Sequence, residues 1–132
     1  MTINKRRGVL VLTALIATFV ILRVSLYISP GSNLDIGPYN IHHLFTGLLL
    51  ITFAGLPLVL IQGNHRILDI AALAYGAGLS MALDEWVYLI VTDGSDQSYL
   101  LPVSLWGGIV MIGLATGYVL VMLFIYRSGK DG

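Results

Sequence analysis

The chain has 132 residues, 57% of them hydrophobic and only 11% charged, with seven basic and seven acidic side chains and a formal net charge of zero. A water-soluble domain of this size needs far more polar surface, so the composition excludes one, and neutral charge gives no footing for nucleic acid. Cysteine is absent, which removes disulfides, thiolate ligands and a thiol nucleophile.

Crossing a hydrocarbon core of about 30 Å takes roughly 20 apolar residues. In chain order, the first such run is Gly8 to Ser29, preceded by Lys5, Arg6 and Arg7 and carrying Arg23 within it. Its length, with no Ala-x-Ala site after it, predicts a retained span rather than a cleaved signal. A connection from Pro30 to Asn40, with Asp35, leads to the second run, Ile41 to Gln62, which opens on His42-His43 and contains Pro57. That proline predicts a bend or one lost backbone bond. Gly63 to Arg66 is the next connection, and the third run, Ile67 to Val91, carries Asp69, the Gly76-Ala77-Gly78 stretch and Asp84-Glu85. Thr92 to Leu101, with Asp93 and Asp96, precedes the fourth run, Pro102 to Tyr126. Pro102 suits a first helical position.

The expected fold is therefore all-α: a polytopic four-transmembrane-helix bundle, one transmembrane domain over residues 1–132. The connections are too short for a soluble domain. Lys5, Arg6, Arg7, His65, Arg66, Arg127 and Lys130 fall at one membrane face, and Asp35, Asp93 and Asp96 at the other. The excess of Lys and Arg predicts both termini in the cytoplasm. Small residues along the spans predict close helix packing, and Gly113 to Gly117 is a Gly-x-x-x-Gly spacing that reads first as packing inside the bundle. Association of two copies through Gly-rich helix faces is the alternative, and membrane lipids are the expected surroundings.

Ionisable groups inside a bilayer are costly and turn inward, where they pair or carry function. Arg23 and Glu85 should lie roughly 9 Å below the outer boundary and His43 within one turn of it, beneath a lid of aromatic and hydroxyl groups that includes Tyr39, Tyr88, Tyr99, Ser104 and Trp106. On helical spacing, His43 shares a face with Gly47, Leu50 and Ala54, and Glu85 one with Ala71, Ala74 and Gly78, which makes Glu85 the first inward carboxylate and Asp84 the second. Three readings stay open. His42, His43, Asp84 and Glu85 are ligand types for a divalent metal, zinc or iron, with an open position for hydrolytic or redox chemistry on a lipid or small molecule. Arg23, Tyr88 and Tyr99 would then bind an anionic substrate group. The same residues also suit a structural charge cluster in an assembly subunit, or a small proton-coupled transporter. A Ser-His-Asp arrangement lacks a nucleophile-elbow sequence, and adjacent histidines cannot clamp both sides of one haem.

The Ile41-His42-His43 opening, with Gly76-x-Gly78-Leu79 and Asp84-Glu85 in the next span, resembles uncharacterised small four-span prokaryotic integral membrane proteins that carry a His-His and a Gly-x-Gly-Leu…Asp-Glu motif. The resemblance covers the middle two spans. It implies a multi-pass protein of a prokaryotic cell membrane and adds weight to the four marked residues; it brings no activity.

Overall fold

A computed structural model describes residues 1–29, 34–36 and 39–129. Lys130 and the side chains of Asp35 and Tyr39, which the sequence reading placed at the two faces, lie outside the described residues. Four helices are long and apolar enough to cross a membrane: α1 (Lys5–Ile28), α2 (His43–Leu60), α3 (Arg66–Val91) and α5 (Pro102–Ile125). A single turn, α4 (Asp96–Tyr99), precedes α5, and β1 (Thr2–Ile3), β2 (Leu34–Ile36), β3 (Tyr39–Ile41) and β4 (Arg127–Ser128) complete the described elements.

Local chemistry explains where these helices depart from the expected runs. α1 starts three residues early because the Asn4 side chain accepts the Arg7 N–H at 3.1 Å and caps the helix. α2 starts at His43 because Tyr39–Ile41 is taken up in an antiparallel pair with Leu34–Ile36. α3 begins on Arg66 and holds Asp69 in its first turn, where the helix dipole favours an acid. Pro57 lies in the last turn of α2, and the helix continues through Leu60 to a cap in which the Ile61 N–H meets the Pro57 carbonyl. Pro102 opens α5 as expected. The connection from Thr92 to Leu101 contains α4, capped by Ser95, whose hydroxyl accepts the Ser98 N–H at 3.2 Å.

α3 is the centre of the bundle, packed by α1, α2 and α5. Half of its most apolar stretch is buried, against 11% for each of the other three, so α3 alone is enclosed on several sides. The outer helices turn Phe53, Val59 and Phe124 outward, as lipid-facing surfaces do. α2 crosses α3 backbone to backbone: a Cβ on Gly47 would stand 2.5 Å from the Gly78 carbonyl oxygen, and one on Gly78 2.7 Å from that of Gly47. No side chain fits there. Gly76 approaches the Val11 carbonyl of α1 in the same way, and Gly107 the Val87 side chain. The expectation that Gly113 and Gly117 pack inside the bundle fails, because a Cβ on either would meet nothing within 4 Å. They lie on the outer side of α5, whose inner face is set by Ser104, Gly107, Gly108 and Ile112.

α1 and α3 run parallel and are joined at both ends by ion pairs of nearly equal sequence offset, Arg7 with Asp69 and Arg23 with Asp84. β1 pairs in parallel with β4, which brings Arg127 to the end that holds Lys5, Arg6 and Arg7, and Arg66 opens α3 at the same end. Asp93 and Asp96 stand at the other. These are the basic and acidic ends.

Candidate functional site

At the acidic end, the last turns of α1 and α3 meet the first turns of α2 and α5, and the polar residues of all four helices converge. Asp84 is the hub and is fully buried. One of its carboxylate oxygens accepts Arg23 Nε at 2.7 Å and lies 2.7 Å from Arg23 Nη2. The other lies 2.9 Å from His43 Nε2 and accepts a very short hydrogen bond from the Tyr99 hydroxyl. Glu85, 3% exposed, stands against the opposite edge of the same imidazole, with Oε1 2.9 Å from His43 Nδ1. Its Oε2 accepts the Leu44 N–H at 3.3 Å and lies 3.5 Å from His42 Nδ1.

Arg23 is fully engaged. Nη1 donates to the Ser104 hydroxyl at 3.0 Å and to the Tyr99 carbonyl at 3.4 Å, while Nη2 donates to the Ser104 carbonyl at 2.9 Å and the Asp84 carbonyl at 3.4 Å. The guanidinium also lies over the Tyr99 ring, 4.2 Å from its centroid. Gly108 makes this fork possible, since a Cβ there would stand 2.9 Å from Asp84 Oδ1 and 3.0 Å from Arg23 Nη2. Tyr99 packs edge-on against both His43 and Tyr88, at centroid distances of 5.6 and 5.2 Å. Tyr88 spends its hydroxyl on the Ser95 carbonyl at 2.8 Å, tying α3 to the turn before α4. Burial, aided by the adjacent Asp84 charge, pushes the Tyr99 hydroxyl above the ordinary tyrosine range, so it stays a donor.

All seven residues singled out from the sequence thus fall in one connected region. His42 and His43 keep 21% and 19% of their side chains exposed and form its mouth; Asp84 and Glu85 form its floor. Helical spacing ranked Glu85 ahead of Asp84 as the inward carboxylate, whereas both are buried and Asp84 has the more central place. α3 is enclosed by three helices, so neighbouring positions on it both find an interior. Arg23, Tyr88 and Tyr99, expected to bind an anionic substrate, direct their donors to Asp84, Ser104 and backbone carbonyls of the chain itself. Ser104 was legible as a lid residue but not as an arginine acceptor, and Gly108 only as one small residue among many. Ser80, one turn before Asp84 on α3, is fully buried with its hydroxyl unpartnered.

The carboxylate oxygens are already engaged: Asp84 accepts from Arg23 and Tyr99, Glu85 from the Leu44 N–H, and the His43 ring nitrogens stand between the two. Among the described residues, no three His, Asp or Glu side chains are arranged as a ready metal-binding group. A metal would have to displace these hydrogen bonds. Comparison of the chain with protein-family models, with curated proteins and with solved structures finds no match. The functional reading therefore rests on the geometry of the cluster.

Proposed function

We propose that this is a small multi-pass membrane protein whose buried cluster binds a proton, and that the proton locks α2 onto α3. The observation that carries the reading is the placement of His43 with both ring nitrogens 2.9 Å from carboxylate oxygens, one of Asp84 and one of Glu85. A neutral imidazole has one N–H, so it can donate to only one of them. The second contact needs one more proton, on the ring or on a carboxyl. With that proton, Arg23 and His43 offset Asp84 and Glu85, and the cluster is neutral. Without it, an uncompensated negative charge stays buried, at a cost of several kcal/mol. The partly exposed edges of His42 and His43 give the proton access from the acidic end.

Release of the proton would break the contact that ties the first turn of α2 to α3, so protonation and helix docking are linked. This favours a proton-responsive or proton-coupled carrier over hydrolytic chemistry, and it assigns no bond-breaking step. The basic end faces the cytoplasm by the excess of Lys and Arg there, and the site opens to the opposite side. A prokaryotic cell membrane is the location proposed from the resemblance of its two middle spans.

Isotope-edited infrared and nitrogen-15 spectroscopy of the His43 ring and the two carboxyl groups at neutral pH should find one proton beyond a neutral imidazole and two carboxylates. Nitroxides placed at the exposed Leu49 and Ile90 should move apart when alkaline pH removes that proton, and His43→Gln should make their distance independent of pH. A neutral imidazole between two ionised carboxylates would overturn the reading. Near-stoichiometric zinc or iron in the purified protein, lost in His43→Gln, would replace it with the metal centre that the residue types suggest.

A further inference from the structure

The basic end carries a second feature that the cluster does not use. An apolar cleft of about 560 Å³ opens between α1, α2 and α3, lined by Val11, Ile51, Gly55, Val59 and Tyr75, with Arg7 at its head. That volume lies within the range of small-molecule sites, about 300–1,000 Å³. From Val59 to Ile51 the cleft follows α2 for about 12 Å, nearly the depth of one leaflet, which is about 15 Å. Its deep end is at the middle of the bundle and its mouth at the level where headgroups begin.

The mouth is charged and incompletely satisfied. Arg7 Nη2 donates to the Gly63 carbonyl at 2.7 Å, yet Arg7 Nε is buried with no hydrogen-bond partner. The facing Asp69 Oδ1, 3.5 Å away, is likewise buried without one, while Asp69 Oδ2 pairs with Arg6 at 2.9 Å. Arg6 and Arg7 thus share one carboxylate, with Arg7 Nε held only by the long Asp69 contact, so a further acceptor is favoured at the partly exposed Arg7 guanidinium. Lys5, Arg6, Arg7, Arg66 and Arg127 outnumber Asp69 at this end, so the acceptor is an anion.

We infer that the cleft holds one anionic phospholipid of the adjoining leaflet, its acyl chain lying along Gly55 and Tyr75 and its phosphate accepting from Arg7. Gly55 leaves room for the chain: a Cβ there would only touch the Tyr75 ring at 3.5 Å, so a larger side chain would project into the cleft rather than into backbone. A lipid bound in this way bridges α1, α2 and α3 at the end opposite the ionic cluster, and the inference stands whether or not that cluster binds a proton.

The test is native mass spectrometry of the purified full-length chain, titrated with dioleoylphosphatidylglycerol or dioleoylphosphatidylcholine. The glycerol lipid should bind one per chain, about tenfold tighter than the choline lipid, the scale of one charge-assisted contact. Arg7→Gln should bring the two lipids to equal affinity, and Gly55→Leu should weaken both, while Arg66→Gln, which removes a charge outside the cleft, should leave the preference in place. Circular dichroism identifies any variant that does not fold; if Arg7→Gln is one, Gly55→Leu decides alone. Equal binding of the two lipids by the unaltered protein would overturn the inference. So would a preference lost as fully in Arg66→Gln as in Arg7→Gln, or binding unmoved by Gly55→Leu.

Discussion

Arg23 and Asp84 form the pair on which the acidic end is built. With side chains 5% and 0% exposed, they are not screened by water, and every donor of the guanidinium has an acceptor. Such a pair is weak evidence for net stability, because both charges were taken out of water, but removing one partner strands the other. Arg23→Ala should therefore destabilise the bundle by about 3–5 kcal/mol, and adding Asp84→Ala should recover part of that loss. Detergent-denaturation midpoints of the two single variants and the double variant measure the coupling. Strictly additive losses would show that the two side chains do not interact. Arg23→Lys should rescue little, since an ammonium cannot reach Asp84, Ser104 and Tyr99 together as the fork does.

At the scale of elements, α3 supplies Asp69, Ser80, Asp84 and Glu85, four of the six buried polar or charged side chains among the described residues, because it alone is surrounded. α4, though one turn long, is what brings Tyr99 over His43 and Asp84. That turn is held by Asp93, whose carboxylate accepts from the Ser98 hydroxyl at 2.6 Å and the Ser95 N–H at 3.0 Å. These bonds, the Ser98 one foremost, hold the Asp93 carboxyl down at about 2 against its ordinary 3.8. A depressed acid stabilises the fold above its unfolded value and loses that contribution as pH falls through the folded one. Amide protection in α4, measured against the intrinsic exchange rate at each pH, should accordingly hold down to about pH 4 and fall as pH approaches about 2. Asp93→Asn should remove this step, and an unchanged acid profile in that variant would assign the step to another group.

On the scale of the molecule, charge is divided between the two ends: arginines and Lys5 at one, aspartates and the ionic cluster at the other. If the positive-inside rule governs insertion, the basic end is cytoplasmic. Because the chain has no native cysteine, single cysteines report this without background. Gln97→Cys should react in intact cells with a membrane-impermeant thiol reagent and Ser128→Cys should not. The opposite pattern would invert the bundle and open the cluster to the cytoplasm.

The four long apolar helices were legible in the sequence because a bilayer demands long apolar runs with every backbone group bonded internally, a requirement that local composition reveals. The common depth of Arg23, His43, Asp84 and Glu85 followed from helical rise alone. Which of them touch, and through which atoms, depended on the order of the helices around α3 and their rotation, and no periodicity in one span encodes its neighbour. Hence Arg23 could be foreseen at the right depth but not in contact with Ser104, and Gly113 and Gly117 share the spacing of packing glycines yet face away. The cap of α1 and the β2–β3 pair shifted two helix starts by three and two residues, because short hydrogen-bonded turns compete locally with helix. The tertiary structure decided that both edges of one imidazole meet a carboxylate: that needs α2 within backbone contact of α3, which Gly47 and Gly78 together allow.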